Sequence, residues 1–164
     1  MKIQSENNTK AGIMVELVIL ASLGRVRQLR FEENLDDPIR KPHLVEDPAG
    51  TIDLHIDKRG EIVSDQSGRF SQKASSGQDG GMSIGEGRNL EKELERKAIR
   101  RVAEIIEKFV ADAGYPRWRL IAPGTILHSL VGDLTESIRS KISNTDSADI
   151  TKLPVRELEK RLLA

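Results

Sequence analysis

The first third of the chain is patterned as β-strands. Residues 13–21 form an apolar run of strand length that is rich in Ile, Leu and Val. Residues 22–24 supply a turn, and residues 25–32 place apolar side chains among arginines as a second strand. The two runs predict an antiparallel hairpin.

A second group of strand signals follows a polar stretch. Residues 43–46 predict a short third strand, and residues 47–50 (Asp-Pro-Ala-Gly) predict a tight turn. Residues 51–57 alternate polar and apolar side chains, and residues 61–63 predict one more strand. We therefore expect several short strands before the middle of the chain.

The periodicity then changes to that of a helix. From Asn89, the expected N-cap, apolar residues recur at helical spacing up to Phe109, and Gly114 and Pro116 end the helix. Because one face of this long helix is apolar, we expect it to pack on the strands.

Strand and helix alternate in the remaining residues. Residues 118–122 predict a strand, and helices are expected from near Thr125, over 135–142 and after Pro154. Residues 143–149 are interpreted as a polar connection. The order predicts an α/β (α+β) fold: a mixed β-sheet with N-terminal antiparallel strands, a long helix after a glycine-rich loop, and flanking C-terminal helices.

Composition narrows the class of protein. The 164 residues fit a single domain, 1–164, with residues 1–12 as a flexible lead-in. Only 3% of residues are aromatic, so the core must consist mainly of Leu, Ile and Val. The 26 basic and 26 acidic residues give no global field toward nucleic acid or membrane. The apolar run 11–23 is short and contains Glu16, so we expect a cytoplasmic protein without a membrane partner.

Residues 64–89 form a segment rich in glycine, serine and glutamine that leads directly into the long helix. Such a stretch buries too little apolar surface to order itself, so we expect a mobile loop. It brings backbone amides to the start of a helix, where anions such as phosphate are favoured. The loop is therefore the first candidate for a functional site.

Motifs for catalysis are weak. Residues 81–85 match the Gly-x-Ser-x-Gly pattern of serine hydrolases, but the polar residues 75–80 cannot be the buried strand that must precede a nucleophile at Ser83. No P-loop and no complete dinucleotide fingerprint is present. The chain has no cysteine, which excludes disulfides and thiolate ligands.

Metal binding is not indicated either. Asp53, His55 and Asp57 share one face of a predicted strand, which we interpret as a solvated face because one strand seldom completes a metal site. We interpret His43 and His128 as structural. The sequence therefore predicts no metal and no cofactor.

Basic residues cluster in the loop and at the start of the long helix. We expect them to contact a phosphate backbone, with binding that depends on salt. The alternative is a solvated helix face neutralised by glutamates. Trp118 is interpreted as core or sheet-edge packing rather than a base-stacking platform. The candidate binding residues are Arg69, Lys73 and Arg88 in the loop and Arg96, Lys97, Arg100 and Arg101 on the helix.

Four segments resemble a known family when they are taken together. They are residues 17–33, residues 63–70 (Val-Ser-Asp-Gln-Ser-Gly-Arg-Phe), residues 120–123 (Leu-Ile-Ala-Pro) and residues 149–158, which begin Asp-Ile-Thr-Lys-Leu-Pro. Over about residues 13–163 the chain resembles the bacterial host-attachment protein family. The resemblance implies a role in bacterial attachment to hosts, which a cytoplasmic protein would exert indirectly.

That family is similar in turn to the middle domain of archaeal and eukaryotic class-1 peptide chain release factors. The loop of those factors carries Gly-Gly-Gln, and its backbone amide helps water attack the ester of peptidyl-tRNA. This chain has Gly80-Gly81-Met82 instead, with Gln78 two residues before the glycine pair. The resemblance thus makes Gln78, Gly80 and Gly81 the candidates for any catalytic role.

We expect a non-catalytic binding module that engages RNA or the ribosome through the loop and the basic helix. Two alternatives stay open. One is a peptidyl-tRNA ester hydrolase, and the other is a protein–protein interaction factor whose loop orders on a protein partner. The sequence leaves the oligomeric state open.

Overall fold

The computed structural model describes residues 9–10, 13–37, 39–54 and 84–163. In these ranges a mixed sheet carries helices on both faces, which confirms the predicted α/β class. The strands are β1 (Thr9–Lys10), β2 (Ile13–Ala21), β3 (Arg25–Asn34), β4 (His43–Asp53), β5 (Trp118–Ala122) and β6 (Ile142–Ser147). The helices are α1 (Ile84–Asp112), α2 (Gly124–Asp133), α3 (Glu136–Arg139) and α4 (Val155–Leu162).

The sheet has the strand order β4-β3-β2-β5-β6, and β1 pairs with the start of β2. Neighbours are antiparallel from β4 to β2 and parallel from β2 to β6. The predicted hairpin of β2 and β3 is therefore confirmed. Two antiparallel steps separate β4 from β2, so β2, β4, β5 and β6 all end at the same edge of the sheet. We call it the carboxyl edge.

The central strand β2 explains why the fold has two cores. Leu17, Ile19 and Ala21 pack under α1, α2 and α3, whereas Val18 and Leu20 face α4 on the opposite side. All five side chains are buried. A strand covered on both faces is read in the sequence as a continuous apolar run rather than an alternating one.

The expected turn at residues 47–50 is wrong, because the chain does not reverse there. Thr51 pairs with Arg27 and Glu46 pairs with Leu29, so β4 is one strand with a bulge opposite Gln28. The amide of Ala49 donates to Asp47 Oδ1 at 3.1 Å, which stabilises the bulge locally. The Asp-Pro-Ala-Gly segment forms a bulge within one strand rather than the predicted tight turn between two.

The predicted start of α1 is wrong, whereas its predicted end is confirmed. The helix begins at Ile84, so Asn89 lies inside it and is not its N-cap. The predicted end at Gly114 is confirmed: Gly114 has a φ of 84°, and its amide donates to the Ala111 carbonyl at 3.0 Å. The Tyr115 amide donates to Val110 at 2.9 Å, which completes a Schellman motif.

Strand β6 replaces the polar connection expected at 143–149. The helix expected over 135–142 is the single turn α3, with Thr135 at its N-cap position, and Ile142 begins the strand. Strand β6 lies at the edge of the sheet and is mostly exposed, so it carries no apolar pattern. Its pairing rests on backbone hydrogen bonds to β5, which residues other than proline can make whatever their side chains.

A buried arginine attaches the C-terminal segment to the sheet. Arg27 is 6% exposed, and its Nη1 donates to the carbonyls of Thr151 at 3.0 Å and Leu153 at 2.6 Å. Its Nε and Nη2 donate to the two carboxylate oxygens of Glu46 at 2.8 and 3.0 Å. The hydrogen bond from Arg27 is the main reason that the pKa of Glu46 lies below its ordinary value of 4.5. These bonds fix the loop that leads into α4.

Candidate nucleic-acid interface

The carboxyl half of helix α1 belongs to the core, whereas the described side chains before Ile99 are not buried. Its 29 residues span about 43 Å at about 1.5 Å per residue, which exceeds the length of any strand in the described sheet. From Arg88 to Ala98 no side chain is buried. The buried residues of the helix are Ile99, Val102, Ala103, Ile106, Phe109 and Val110.

The topology places the amino-terminal half of α1 at the carboxyl edge of the sheet. The carboxyl end of α1 leads into the start of β5, and α2 begins where β5 ends. Both helices therefore run opposite to β5 and lie side by side. Glu107 of α1 joins them by accepting a hydrogen bond from the Thr135 amide at 2.6 Å, just beyond the end of α2.

Helix α1 as a whole is balanced in charge, but basic side chains outnumber acidic ones between Gly87 and Arg101. The basic side chains between Gly87 and Arg101 are Arg88, Lys92, Arg96, Lys97, Arg100 and Arg101, and the acidic ones are Glu91, Glu93 and Glu95. The chain as a whole has a formal net charge of zero, so this surplus is local. Arg96 Nη1 lies 3.8 Å from Glu93 Oε1, and both side chains are more than half exposed.

The cations spread around the helix instead of forming one strip. A residue four positions later is turned by about 40° around the axis, because each residue turns the helix by about 100°. Lys92, Arg96 and Arg100 therefore follow one another around one side, and Lys97 and Arg101 lie further round toward the outer surface. Together these five residues cover about half of the helix circumference.

A groove of about 540 Å³ lies between α1 and α2. Of its lining residues only Ile99 is buried, and most of the others are polar or charged. We call it the α1–α2 groove. It is lined by Lys92, Glu95, Arg96, Ile99 and Arg100 of α1 and by Thr125, His128, Ser129, Gly132 and Asp133 of α2.

The groove contains part of the predicted site and several residues that the sequence did not suggest. Arg96 and Arg100 line it, whereas Arg88, Lys97 and Arg101 are exposed outside its lining. His128, interpreted above as structural, is exposed and lines the α2 wall. Polar residues spaced by three and four positions along α2 indicate that one face of this helix is polar. The sequence does not show which helix lies opposite that face.

Other predicted residues lie outside the described ranges or have a structural role. Trp118 is fully buried, and its Nε1 donates to the Ile138 carbonyl at 3.0 Å, which confirms core packing. Asp53 forms an ion pair of 2.5 Å with Arg25. The residues that lie outside the described ranges are His55, Asp57, Arg69, Lys73, Gln78, Gly80, Gly81 and Ser83.

The remaining surfaces give few chemical alternatives. In the part of the chain that the structure describes, no cluster of three or more His, Asp or Glu side chains would hold a metal ion. A smaller cavity of about 240 Å³ lies beside β3 and contains His43, whose Nε2 is 3.6 Å from Glu32 Oε2. Among the described helices, none combines the length and apolarity that a membrane span requires.

One comparison with known proteins gives a match. The sequence model of the family described as "protein required for attachment to host cells" matches residues 20–162. This supports the host-attachment resemblance, whereas the similarity to release factors stays a prediction. No curated protein matches the chain.

Proposed function

The chain belongs to the family of proteins required for attachment to host cells, and we propose that it is a non-catalytic module that binds RNA. The binding surface is the amino-terminal half of α1 from Gly87 to Arg101. The observation that carries the proposal is the set of exposed cations between Arg88 and Arg101 that cover about half of the helix circumference. In this proposal the protein contributes to host attachment indirectly, through an RNA that it binds.

The cations of this surface contribute little to folding. Exposed ion pairs such as Arg96–Glu93 are worth about 0–1 kcal/mol, because water and salt screen them. The side chains of Lys97, Arg100 and Arg101 are also exposed. A requirement of the fold therefore does not explain why six basic side chains are concentrated here.

The kind of cation suits a phosphate. Four of the six basic residues are arginines, whose planar guanidinium group donates two parallel hydrogen bonds to a phosphate. Because the cations surround half of the helix, several phosphates of one strand can be contacted together. A polyanion gains more from such a surface than a single acidic side chain does, because each contact releases counterions.

The test is the salt dependence of RNA binding by paired variants. Arg96 and Arg100 are both changed to Gln, and the control changes Arg156 and Arg161 of α4, which are exposed on the opposite side of the sheet. Fluorescence anisotropy with a labelled single-stranded RNA gives the affinity at several salt concentrations. For the variant with Arg96 and Arg100 changed to Gln, we expect the slope of log K against log salt to become less steep by about 1.4, at about 0.7 per lost phosphate contact.

Ribosome co-sedimentation under the same salt conditions extends the measurement to a natural RNA assembly. The control variant is expected to keep the native slope. Equal slopes for the two variants, or no binding of RNA by the native chain, would contradict the proposal. If a protein partner is captured and the substitutions in α1 do not change its binding, the protein–protein alternative is favoured instead.

A further inference from the structure

We propose that the α1–α2 groove holds one nucleotide of a single-stranded RNA, with its phosphate on the α1 wall and its ribose hydroxyl on Asp133. This inference rests on the proposed RNA binding and adds where one nucleotide binds and how RNA is distinguished from DNA. Its basis is the size of the groove and the mixed chemistry of its two walls.

The size of the groove suits one nucleotide and excludes a duplex. Its volume of about 540 Å³ is within the range of about 300–1,000 Å³ that small-molecule sites occupy. An RNA duplex cannot enter, because its paired bases stay stacked inside a double helix that is wider than the space between two α-helices packed side by side. An unpaired nucleotide has the dimensions to lie between two helices that pack side by side.

The α1 wall provides hydrogen-bond donors. Lys92, Arg96 and Arg100 donate and cannot accept, so they match the oxygens of a phosphate group. Thr125 and Ser129 add hydroxyl groups from α2, which donate or accept as required. This combination is the chemistry that a phosphodiester requires.

The carboxylates of the groove make a nucleotide a better occupant than a bare anion. Glu95 and Asp133 only accept hydrogen bonds when they are ionised, so they repel phosphate and need a donor. The 2′-hydroxyl of ribose and the amino groups of bases are such donors, and deoxyribose lacks the first of them. Among the described side chains, no ion pair joins the two walls of the groove.

Two smaller features leave space for the rest of the nucleotide. A Cβ placed on Gly132 would have no atom within 4 Å, so this part of the α2 wall is open. Ile99, which is 7% exposed, adds a small apolar contact that the edge of a ribose or a base can meet. The groove thus provides donors, acceptors and a small apolar contact for the three parts of a nucleotide.

The experiment compares RNA and DNA of the same sequence on two matched variants. Asp133→Ala removes the proposed acceptor at the last residue of α2, and Asp112→Ala removes an exposed carboxylate at the last residue of α1, outside the groove. Circular dichroism establishes that both variants fold. We expect the native chain to bind the RNA oligonucleotide about tenfold more tightly than the DNA, since the acceptor is charged. Asp133→Ala is expected to lose this preference, and Asp112→Ala to keep it.

The outcomes separate this inference from the proposed function. If the native chain binds no RNA, the proposed function fails and this inference fails with it. If RNA binding depends on Arg96 and Arg100 but Asp133→Ala changes the RNA and DNA affinities equally, only the groove assignment is overturned. Equal affinity of the native chain for RNA and DNA overturns it as well.

Discussion

Replacing Arg27 by Met tests whether one buried guanidinium group attaches the C-terminal segment to the sheet. The change keeps much of the volume of the side chain but removes four donated hydrogen bonds. It leaves two backbone carbonyls without this donor, while the carboxylate of Glu46 keeps the hydrogen bond from Thr51 Oγ1 at 3.0 Å. Thr151, which carries one of these carbonyls, is 2% exposed, so water does not readily take the place of the lost bond.

The size of the effect follows from these contacts. Breaking a buried ion pair by removing one partner is worth about 3–5 kcal/mol, and an unpaired buried carbonyl about 1–3 kcal/mol. The carboxylate side chain of Glu46 is 27% exposed and is partly rehydrated, so we take the lower end of the range. We expect Arg27→Met to lower the free energy of unfolding by about 3 kcal/mol, out of a total of about 5–15 kcal/mol for a domain.

Urea unfolding measures this loss, and Arg25→Met is the matched control. Arg25 belongs to the same strand, and its ion pair with Asp53 has side chains that are 38% and 54% exposed. Such a pair is worth about 0–1 kcal/mol. The midpoint for Arg27→Met should therefore fall much further than for Arg25→Met, while the dependence on urea concentration stays the same.

The same pair gives the stability of the protein a pH dependence. The pKa of Glu46 is lower in the folded chain than its ordinary value of 4.5, mainly through the hydrogen bond from Arg27. Its contribution to stability is therefore complete above that value and is lost as the pH falls through the lower folded pKa. The difference in unfolding free energy between the native protein and Arg27→Met should therefore become smaller below about pH 4.5. A constant difference, or an Arg27→Met variant as stable as Arg25→Met, would refute this account.

Two further stability predictions concern backbone packing and capping. Gly50→Ala is expected to destabilise by about 1–2 kcal/mol, since the added Cβ would lie 3.0 Å from the Gln28 carbonyl oxygen and 3.1 Å from that of Asp47. Gly87→Ala in α1, where an added Cβ meets nothing within 4 Å, should instead stabilise the protein by about 0.5–1 kcal/mol. If thermal unfolding gives the two glycine variants the same stability, the packing argument is contradicted. Glu107→Ala should lower the unfolding free energy by about 1 kcal/mol because the amide of Thr135 loses its acceptor, whereas Glu107→Gln keeps an oxygen there and should lose less. Equal losses for the two Glu107 variants would show that this hydrogen bond is not the reason.

The elements that the sequence predicts correctly are those whose burial or backbone conformation requires particular residue types at neighbouring positions. Strands β2 and β5 are covered on both faces, so nearly every residue in them is apolar and the strands are recognisable at once. The end of α1 was predictable because Gly114 adopts a positive φ that favours glycine. Each of these signals lies within a few residues of the structure that it specifies.

Sequence reasoning failed where an element makes few contacts with the core. Strand β6 is held by its backbone at the edge of the sheet, so its polar side chains gave no sign of a strand. The helix begins six residues before the predicted first residue after the N-cap Asn89, because residues 84–89 contain two glycines and several polar residues, which are not typical of a helix. An element without an apolar face leaves no periodic signal for sequence analysis.

The candidate site shows the same division. The sequence suggests five of the cations on α1 because they lie close together along the chain, and their role in binding stays a prediction. The α2 wall with Thr125, Ser129 and Asp133 was not found, because its relevance depends on α2 lying beside α1 on one face of the sheet. That neighbourhood is set by the route of the chain through β5 and not by any short motif.

The sequence by itself determined the class of fold, the central strands, the carboxyl end of the long helix and the place where positive charge accumulates. Only the tertiary structure decided which surfaces face each other, namely the two walls of the groove and the attachment of Thr151 to Arg27. The physical reason is the range of the interactions. Helix and strand periodicities arise between residues one to four positions apart, whereas Arg27 and Thr151 are separated by 124 residues and meet only when the sheet has formed.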